Sequence, residues 1–143
     1  MSQSEDVVST GLKSVLCSAQ PVLPVRDIEE TAHYYRDVLG FYIHFMWRER
    51  DDAPLMHCGV GRNEAHLQFT TWTRQHDAVT NCGWTYIIVE NVDAWHEEVA
   101  ARGADIISPL ETQPWQMREF EVQDCNGHIL RFAQEVDCNE ALA

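Results

Sequence analysis

Apolar residues recur every three or four positions in two stretches of the chain, and this spacing predicts two helices. The first stretch begins at Asp27, which forms a capping box with Glu30, and ends at Gly40, a residue that favours helix ends. The second stretch begins at Asn91, which is also a preferred helix N-cap, and ends at Gly103. The two helices share their start and stop signals, so the chain contains an internal repeat.

Apolar and polar residues alternate around these helices, which predicts β-strands. The predicted strands cover residues 16–24, 41–48, 54–60, 64–72, 83–90, 104–108, 117–123 and 128–134. Residues 109–116, which contain two prolines and Trp115, are predicted to form a longer loop, and Asn126-Gly127 a hairpin turn. One strand precedes each helix and three follow it, so the repeated unit is βαβββ.

Two copies of one small unit indicate a fold in which the copies bury their apolar faces together. We therefore predict an α+β protein whose two tandem βαβββ modules form a curved mixed sheet around a cavity, where we expect the functional site. We predict a single domain over residues 16–135, with its two modules over about 16–72 and 83–135. A flexible tail or arm over 1–15 precedes the domain, and a tail over 136–143 follows it.

Alternation with period two also assigns side chains to the two faces of each strand. In the fourth strand, Leu67 and Phe69 share one face and Gln68 lies on the other. We expect the apolar faces to pack against the helices and the mixed faces to line the cavity. By this reasoning the cavity is lined by Gln20, Gln68, Trp84, Tyr86 and Arg131.

The charge of the chain excludes some partners. It has 23 acidic residues against 10 lysines and arginines, for a formal net charge of −13. Such a surface repels phosphate backbones and anionic membranes, so we expect neither nucleic acid nor a membrane as partner. The charge gives solubility and also attracts cationic ligands, and composition leaves both interpretations open.

The cysteines and the N-terminal segment indicate a cellular compartment. The five cysteines are widely spaced and form no CxxC pair, which favours free thiols in a reducing cytoplasm. The N-terminal segment lacks the apolar run of a signal peptide, and no segment approaches the ~18 apolar residues of a membrane helix. We therefore expect a cytoplasmic protein.

Three motifs resemble one superfamily. They are Val25-Arg26-Asp27-Ile28, the run from Tyr34 to Phe41 (YYRDVLGF), and the closing run from Asp124 to Phe132 (DCNGHILRF). Together with the duplicated βαβββ unit they resemble the vicinal oxygen chelate superfamily over residues 16–135. This superfamily includes glyoxalase I, extradiol dioxygenases, fosfomycin-inactivating transferases and bleomycin resistance proteins. Cys125 stands where its closing turn usually has proline.

The resemblance implies a position for a divalent metal, because enzymes of the superfamily hold one with residues of the first, fourth, fifth and eighth strands. The matching positions here are Gln20, Gln68, Trp84 and Arg131. Indole offers no lone pair to a metal, and a guanidinium adds positive charge. We interpret the metal site as absent and expect no cofactor.

Histidines leave a second interpretation open. His66 lies two residues from Gln68 on the same strand face, and His44 and His57 also lie on predicted strands. These side chains could provide a substitute metal site, or they could be ordinary strand and surface histidines.

Further motifs resemble the metal-free bleomycin resistance branch. They are the segments 21–27 and 39–45, and Gln113-Pro114-Trp115 followed by Arg118 to Val122 (REFEV). In that branch a single glycine joins the tryptophan to the arginine, where this chain has Gln116-Met117. The branch forms dimers with two grooves between the subunits, and the residues that match Trp115 and Phe45 stack on flat rings of the drug. The expected ligand-binding residues are Phe45, Trp47, Gln68, Trp84, Tyr86, Trp115 and Arg131.

The aromatic residues also have structural interpretations. Trp115 could plug the end of a sheet. Phe45, two residues after Ile43 on one strand, could belong to the core or to a dimer contact. Trp84 and Tyr86 could fill the cavity rather than line it.

The resemblance thus implies a homodimer that sequesters a bleomycin-like or other planar cationic antibiotic without catalysis. The alternative is a metal-dependent enzyme with atypical ligands, such as a glyoxalase-like lyase or isomerase or a thiol transferase. A binding module for another flat ligand is a third possibility that the sequence does not separate from the first.

Overall fold

The structure is a computed structural model that describes residues 14–71 and 84–136. Nearly all of the predicted N-terminal arm and C-terminal tail lies outside the described residues. The first module consists of β1 (Val22–Pro24), α1 (Ile28–Asp37), β2 (Tyr42–Arg48), β3 (Leu55–Arg62) and β4 (Ala65–Thr70). The second consists of β5 (Trp84–Ile88), α2 (Val92–Ala101), β6 (Asp105–Thr112), β7 (Met117–Gln123) and β8 (Ile129–Glu135).

The strands form two four-stranded mixed sheets with the same topology. The order is β1-β4-β3-β2 in the first sheet and β5-β8-β7-β6 in the second. In each sheet the strand before the helix pairs in parallel with the last strand, and the other pairs are antiparallel. The predicted α+β fold with two βαβββ modules is confirmed. No helix within 14–71 or 84–136 is long and apolar enough to cross a membrane.

Both helices begin and end where the sequence indicates. The side chain of Asp27 accepts a hydrogen bond from the backbone N–H of Glu30, and Asn91 accepts one from Ala94. Gly40 and Gly103 follow the helices with φ of +73° and +94°, a left-handed conformation that glycine adopts without strain.

One core runs through both modules. Leu67 and Phe69 of β4 and Leu130 and Phe132 of β8 are buried together with residues of both helices, which confirms the predicted apolar faces. We call the opposite face of each sheet, which carries the mixed residues, its outer face.

Hydrogen bonds between the modules fix their relative position. The Tyr35 hydroxyl donates to Asp124 Oδ2 over 2.6 Å, and His128 Nε2 donates to the Pro24 carbonyl oxygen over 2.7 Å. The rings of Phe41 and Trp95 also meet across this junction, with centroids 6.5 Å apart. The outer faces are therefore carried by one rigid unit.

Two strand boundaries differ from the prediction by more than two residues. Strand β1 begins at Val22 rather than at residue 16, because Pro21 has no N–H to continue the ladder, although its carbonyl still accepts from Gln68. Strand β6 extends to Thr112, so the loop predicted over 109–116 is only a short turn. Pro109 is tolerated because β6 is an edge strand with two register shifts.

Candidate functional site

The outer face of the first sheet carries a chain of hydrogen-bonded polar side chains. Gln68 of β4 donates from Nε2 to Gln20 Oε1 over 2.9 Å. Its amide oxygen accepts from His57 Nε2 of β3 over 2.7 Å. Gln20 and Gln68 were both predicted to line the cavity, and they are in contact here. Because both ends of the Gln68 amide are engaged, its orientation is fixed.

An aromatic platform lies beside this chain. Strand β2 contains a bulge at His44. Ile43 pairs with Val60 of β3, and Phe45, two residues later, pairs with Gly59, the very next residue of β3. Ile43 therefore packs against the core while Phe45 lies on the outer face. The Phe45 ring stacks on His57, with centroids 5.9 Å apart and planes within 10°.

A glycine makes the platform possible. A Cβ added to Gly59 would lie 2.4 Å from Cε1 of Phe45, so the phenyl ring rests on the bare backbone of β3. The structural interpretation of Phe45 as a core residue is wrong for this chain, because the ring is 44% exposed.

An open cavity of about 440 Å³ lies over the platform. Its lining is aromatic and apolar apart from a carboxylate, an imidazole and a hydroxyl. The lining residues are Phe45, Trp47, Glu49, Met56, His57 and Thr70. The volume is in the range of small-molecule sites, and flat apolar walls with one acidic group suit a planar ligand of positive charge.

The outer face of the second sheet is built from charged and aromatic groups. The Arg131 guanidinium lies 4.2 Å from the ring centroid of Trp84, in a cation–π contact. It also pairs with Glu119 over 3.0 Å and with Glu121. The Tyr86 hydroxyl donates to Glu119 Oε2 over 2.8 Å. The four side chains around Arg131 therefore form one connected cluster.

The charge of this cluster is negative despite Arg131. Two carboxylates flank one guanidinium, and the side chain of Glu119 is only 4% exposed. Burial and the hydrogen bond to the Glu119 carboxylate raise the pKa of Tyr86 above its ordinary value. The phenol therefore keeps its proton, and its hydrogen bond to Glu119, to a higher pH than an ordinary tyrosine does.

The four positions that match the superfamily's metal ligands do not form a donor set. Gln20 and Gln68 contact each other on the first sheet, whereas Trp84 and Arg131 contact each other on the second. Within the described residues, no hydrogen bond, ion pair or ring contact joins the two pairs. Indole and guanidinium nitrogens offer no lone pair, so these residues do not fit a divalent metal. The described segments also contain no group of three or more His, Cys, Asp or Glu side chains arranged to hold a metal.

Trp115 lies in the turn between β6 and β7. Its side chain is 58% exposed, so in a single chain it does not plug the end of the sheet. The next residue, Gln116, has φ of +68°, a conformation that favours glycine. Gln116 donates from its backbone to the Gln113 carbonyl oxygen over 2.9 Å, which closes a tight turn.

The contacts of three residues on these faces were not predicted from the sequence. Glu119 and Glu121 alternate with buried Phe120 and Val122, so period-two alternation alone could have placed them opposite Arg131. His57 alternates in the same way with buried Cys58, but its bond to Gln68 depends on the register between β3 and β4.

A groove of about 820 Å³ separates the end of the β3–β4 hairpin from β5 and α2. Arg62 crosses it and donates from Nη1 to Glu98 Oε2 over 2.8 Å, and its guanidinium lies 4.8 Å from the Trp95 ring centroid. The hydrogen bond from Arg62 holds the pKa of Glu98 below its ordinary value. The groove is therefore bridged by an ion pair.

Solved structures with the same fold include ligand-binding and enzyme-related proteins. The bleomycin-binding protein of Streptomyces verticillus, solved with copper(II)-bleomycin, is 26% identical with a TM-score of 0.65, over 83% of this chain and 96% of that one. TnmS3, an antibiotic binding protein from Streptomyces sp. CB03234, is 18% identical with a TM-score of 0.66, over 85% of this chain and 98% of that one. A glyoxalase-related enzyme from Clostridium phytofermentans is 22% identical with a TM-score of 0.70, over 87% of this chain and 99% of that one.

The last two likenesses show a shared fold only, and no curated protein matches the chain. A family profile does match, over residues 18–132, which is most of the chain. This match confirms the resemblance that the sequence motifs indicate. The chain belongs to the Glyoxalase/Bleomycin resistance protein/Dioxygenase superfamily.

Proposed function

We propose that this protein captures a cationic antibiotic with a planar aromatic part, of the bleomycin type, and holds it without converting it. The observation that carries the proposal is the cavity over the Phe45 platform, whose lining offers Phe45 and Trp47 to a flat ring and Glu49 to a positive charge. The likeness to the bleomycin-binding protein of S. verticillus supports the ligand class. Capture rather than turnover is proposed because two of the superfamily's four metal positions carry Trp84 and Arg131, whose nitrogens do not coordinate a metal.

The charge of the protein favours a cationic ligand. The net charge is −13, the cavity carries Glu49, and the cluster around Arg131 has two carboxylates for one guanidinium. A field of this sign concentrates cations near the surface before contact. The free thiols of Cys17, Cys58 and Cys125 fit the proposed cytoplasmic location.

We propose that the complete groove forms between two copies of the chain. The outer face of β5 exposes Trp84, Tyr86 and Ile88, which are 60%, 46% and 66% accessible. Large hydrophobic side chains exposed side by side on one strand are typical of an interface. A two-fold dimer that sets this face against the first sheet of the other copy would produce two equal grooves.

Sedimentation velocity tests the dimer. Ile88→Lys should shift the protein to the monomer, because a charge would be buried in the interface. Ile107→Lys is the matched control, since Ile107 is an exposed isoleucine (43%) on the far edge strand of the same sheet. A wild-type protein that sediments as a monomer at tens of micromolar would refute the dimer.

Titration with metal-free bleomycin, followed by tryptophan fluorescence and calorimetry, tests the ligand. We expect quenching and a Kd at or below about 1 μM, which is the range useful for sequestration. Added salt should weaken binding, because it screens the attraction between opposite charges.

Variants of neighbouring residues locate the site. Phe45→Ala should weaken binding about fivefold, because one aromatic stacking contact contributes ~1 kcal/mol. Met46→Ala should leave it unchanged, since Met46 has similar exposure (39% against 44%) but lies on the opposite face of β2. Absence of both quenching and heat at tens of micromolar ligand would refute the bleomycin-type assignment.

A further inference from the structure

Two imidazoles face each other on the outer face of the first sheet, outside the platform and the glutamine chain. His44 occupies the bulge of β2, and His66 lies on β4. Gly61 of β3 lies between the two strands and pairs with His66. The ring centroids are 5.2 Å apart, with planes inclined at 54°.

The nitrogens of the two rings converge on one point. A Cβ added to Gly61 would lie 2.6 Å from His44 Nε2, 2.6 Å from His66 Nδ1 and 3.0 Å from the carbonyl oxygen of Ala65. Only the absence of a side chain at Gly61 leaves this point open. In the described part of the chain, neither imidazole has a hydrogen bond. The point itself is one bond length from the Gly61 Cα, so an ion would lie farther out, above the bare backbone of β3 and between the two imidazole nitrogens.

We propose that this outer position is a binding site for a divalent transition metal such as Zn²⁺ or Ni²⁺, with His44 and His66 as its side-chain ligands. Imidazole nitrogen is a preferred ligand of these ions, and Zn–N bonds measure ~2.0–2.1 Å. Rotation of the two rings away from the backbone brings both nitrogens toward an ion at that outer position, and His44 is exposed enough to turn. Water completes the coordination.

The site is distinct from the positions that match the superfamily's metal ligands, and it does not depend on the proposed antibiotic. His66 lies two residues from Gln68, and it lines the groove of about 820 Å³ between the modules. A metal held here keeps open coordination positions toward that groove, where a ligand with oxygen or nitrogen donors could complete its shell.

Calorimetric titration of the full chain with ZnCl₂, repeated with NiCl₂, tests the proposal. We expect one site per chain, and a His44→Gln/His66→Gln variant should bind at least about tenfold more weakly, a loss of ~1.4 kcal/mol. His33→Gln, on helix α1, is the control and should bind as the wild type does. Circular dichroism and a urea titration check that each variant folds.

A steric variant tests the open space while both imidazoles are kept. Gly61→Ala places a methyl group at the point of convergence and should weaken metal binding like the double variant. Equal affinity of the wild type and the double variant would overturn the proposal, because the metal would then be held by other residues. Wild-type affinity in Gly61→Ala, or no binding at 100-fold molar excess of metal, would overturn it as well.

Discussion

The two outer faces differ although the same βαβββ scaffold carries both. On the first face the polar groups also bond to one another, but an aromatic platform and an open cavity beside them stay uncovered. On the second face, Arg131 is held by Glu119, Glu121 and Trp84, so its charges are satisfied within the sheet. The repeat therefore fixes the positions of outer-face side chains but not the groups that they contact.

The largest effect on stability should come from removing the central cation of the second face. Arg131→Met leaves the carboxylate of Glu119 almost fully buried without its cation, which should lower the free energy of unfolding by about 3 kcal/mol. Urea unfolding followed by circular dichroism measures this loss. Arg36→Met, which removes an exposed pair with Asp37, should leave the urea midpoint unchanged. If Arg131→Met unfolds at the wild-type midpoint, the charged cluster is not structural.

Alkaline pH tests the junction between the modules rather than either face. Burial, followed by the nearby Asp124 carboxylate, raises the pKa of Tyr34 to about 12. The unfolded chain loses this phenol proton near pH 10, whereas the folded protein keeps it up to about pH 12. The contribution of Tyr34 to stability is therefore complete below pH 10 and is lost as the pH rises through about 12. After solvent screening we expect a loss of about 1.5 kcal/mol over this window, measured by urea unfolding at successive pH values. Tyr34→Phe should flatten the decline, and an equal slope in both proteins would contradict this assignment.

A methyl group added to β3 should weaken ligand binding at the first face without lowering stability. Gly59→Ala displaces the Phe45 ring, so bleomycin binding should weaken about fivefold, equivalent to one lost stacking contact of ~1 kcal/mol. The urea midpoint should hardly change, because the displaced ring is exposed and can swing into solvent. Calorimetry and urea unfolding on the same sample separate the two effects. A destabilised variant with unchanged affinity would mean that Phe45 supports the sheet rather than the ligand.

The smallest effect concerns the turn that carries Trp115 on the second module. Gln116 adopts φ of +68°, and glycine pays no steric cost there, so Gln116→Gly should stabilise the fold by about 0.5 kcal/mol. Thermal unfolding measures the change. Gln113→Gly, in the same turn but outside the left-handed region, serves as the control and should not stabilise. A lower melting temperature for Gln116→Gly would show that the glutamine side chain itself supports the turn.

The sequence predicted the fold well because its signals are local. Helix caps such as Asp27 and the alternation of Leu67 and Phe69 depend only on neighbouring residues. The bulge before Phe45 and the extension of β6 through Pro109 were not visible, because they depend on how a strand pairs with its neighbour.

The candidate site was predicted only by residue type. Alternation placed Gln68 and Arg131 opposite the apolar faces of their strands, yet it did not show that Arg131 pairs with Glu119 and Glu121. That contact is set by the cross-strand register of β7 and β8, which places Glu121 opposite Arg131. The net charge around a charged strand residue can therefore be assigned only when its cross-strand partners are known.

The bond from His128 to the Pro24 carbonyl oxygen has a consequence for how the protein is made. It joins residues that are 104 positions apart, and Tyr35 with Asp124 spans 89. Contacts between such distant positions form late, because a long loop must close before they contribute. We therefore expect the first module to reach its final stability only after the last hairpin has been made and has docked against it.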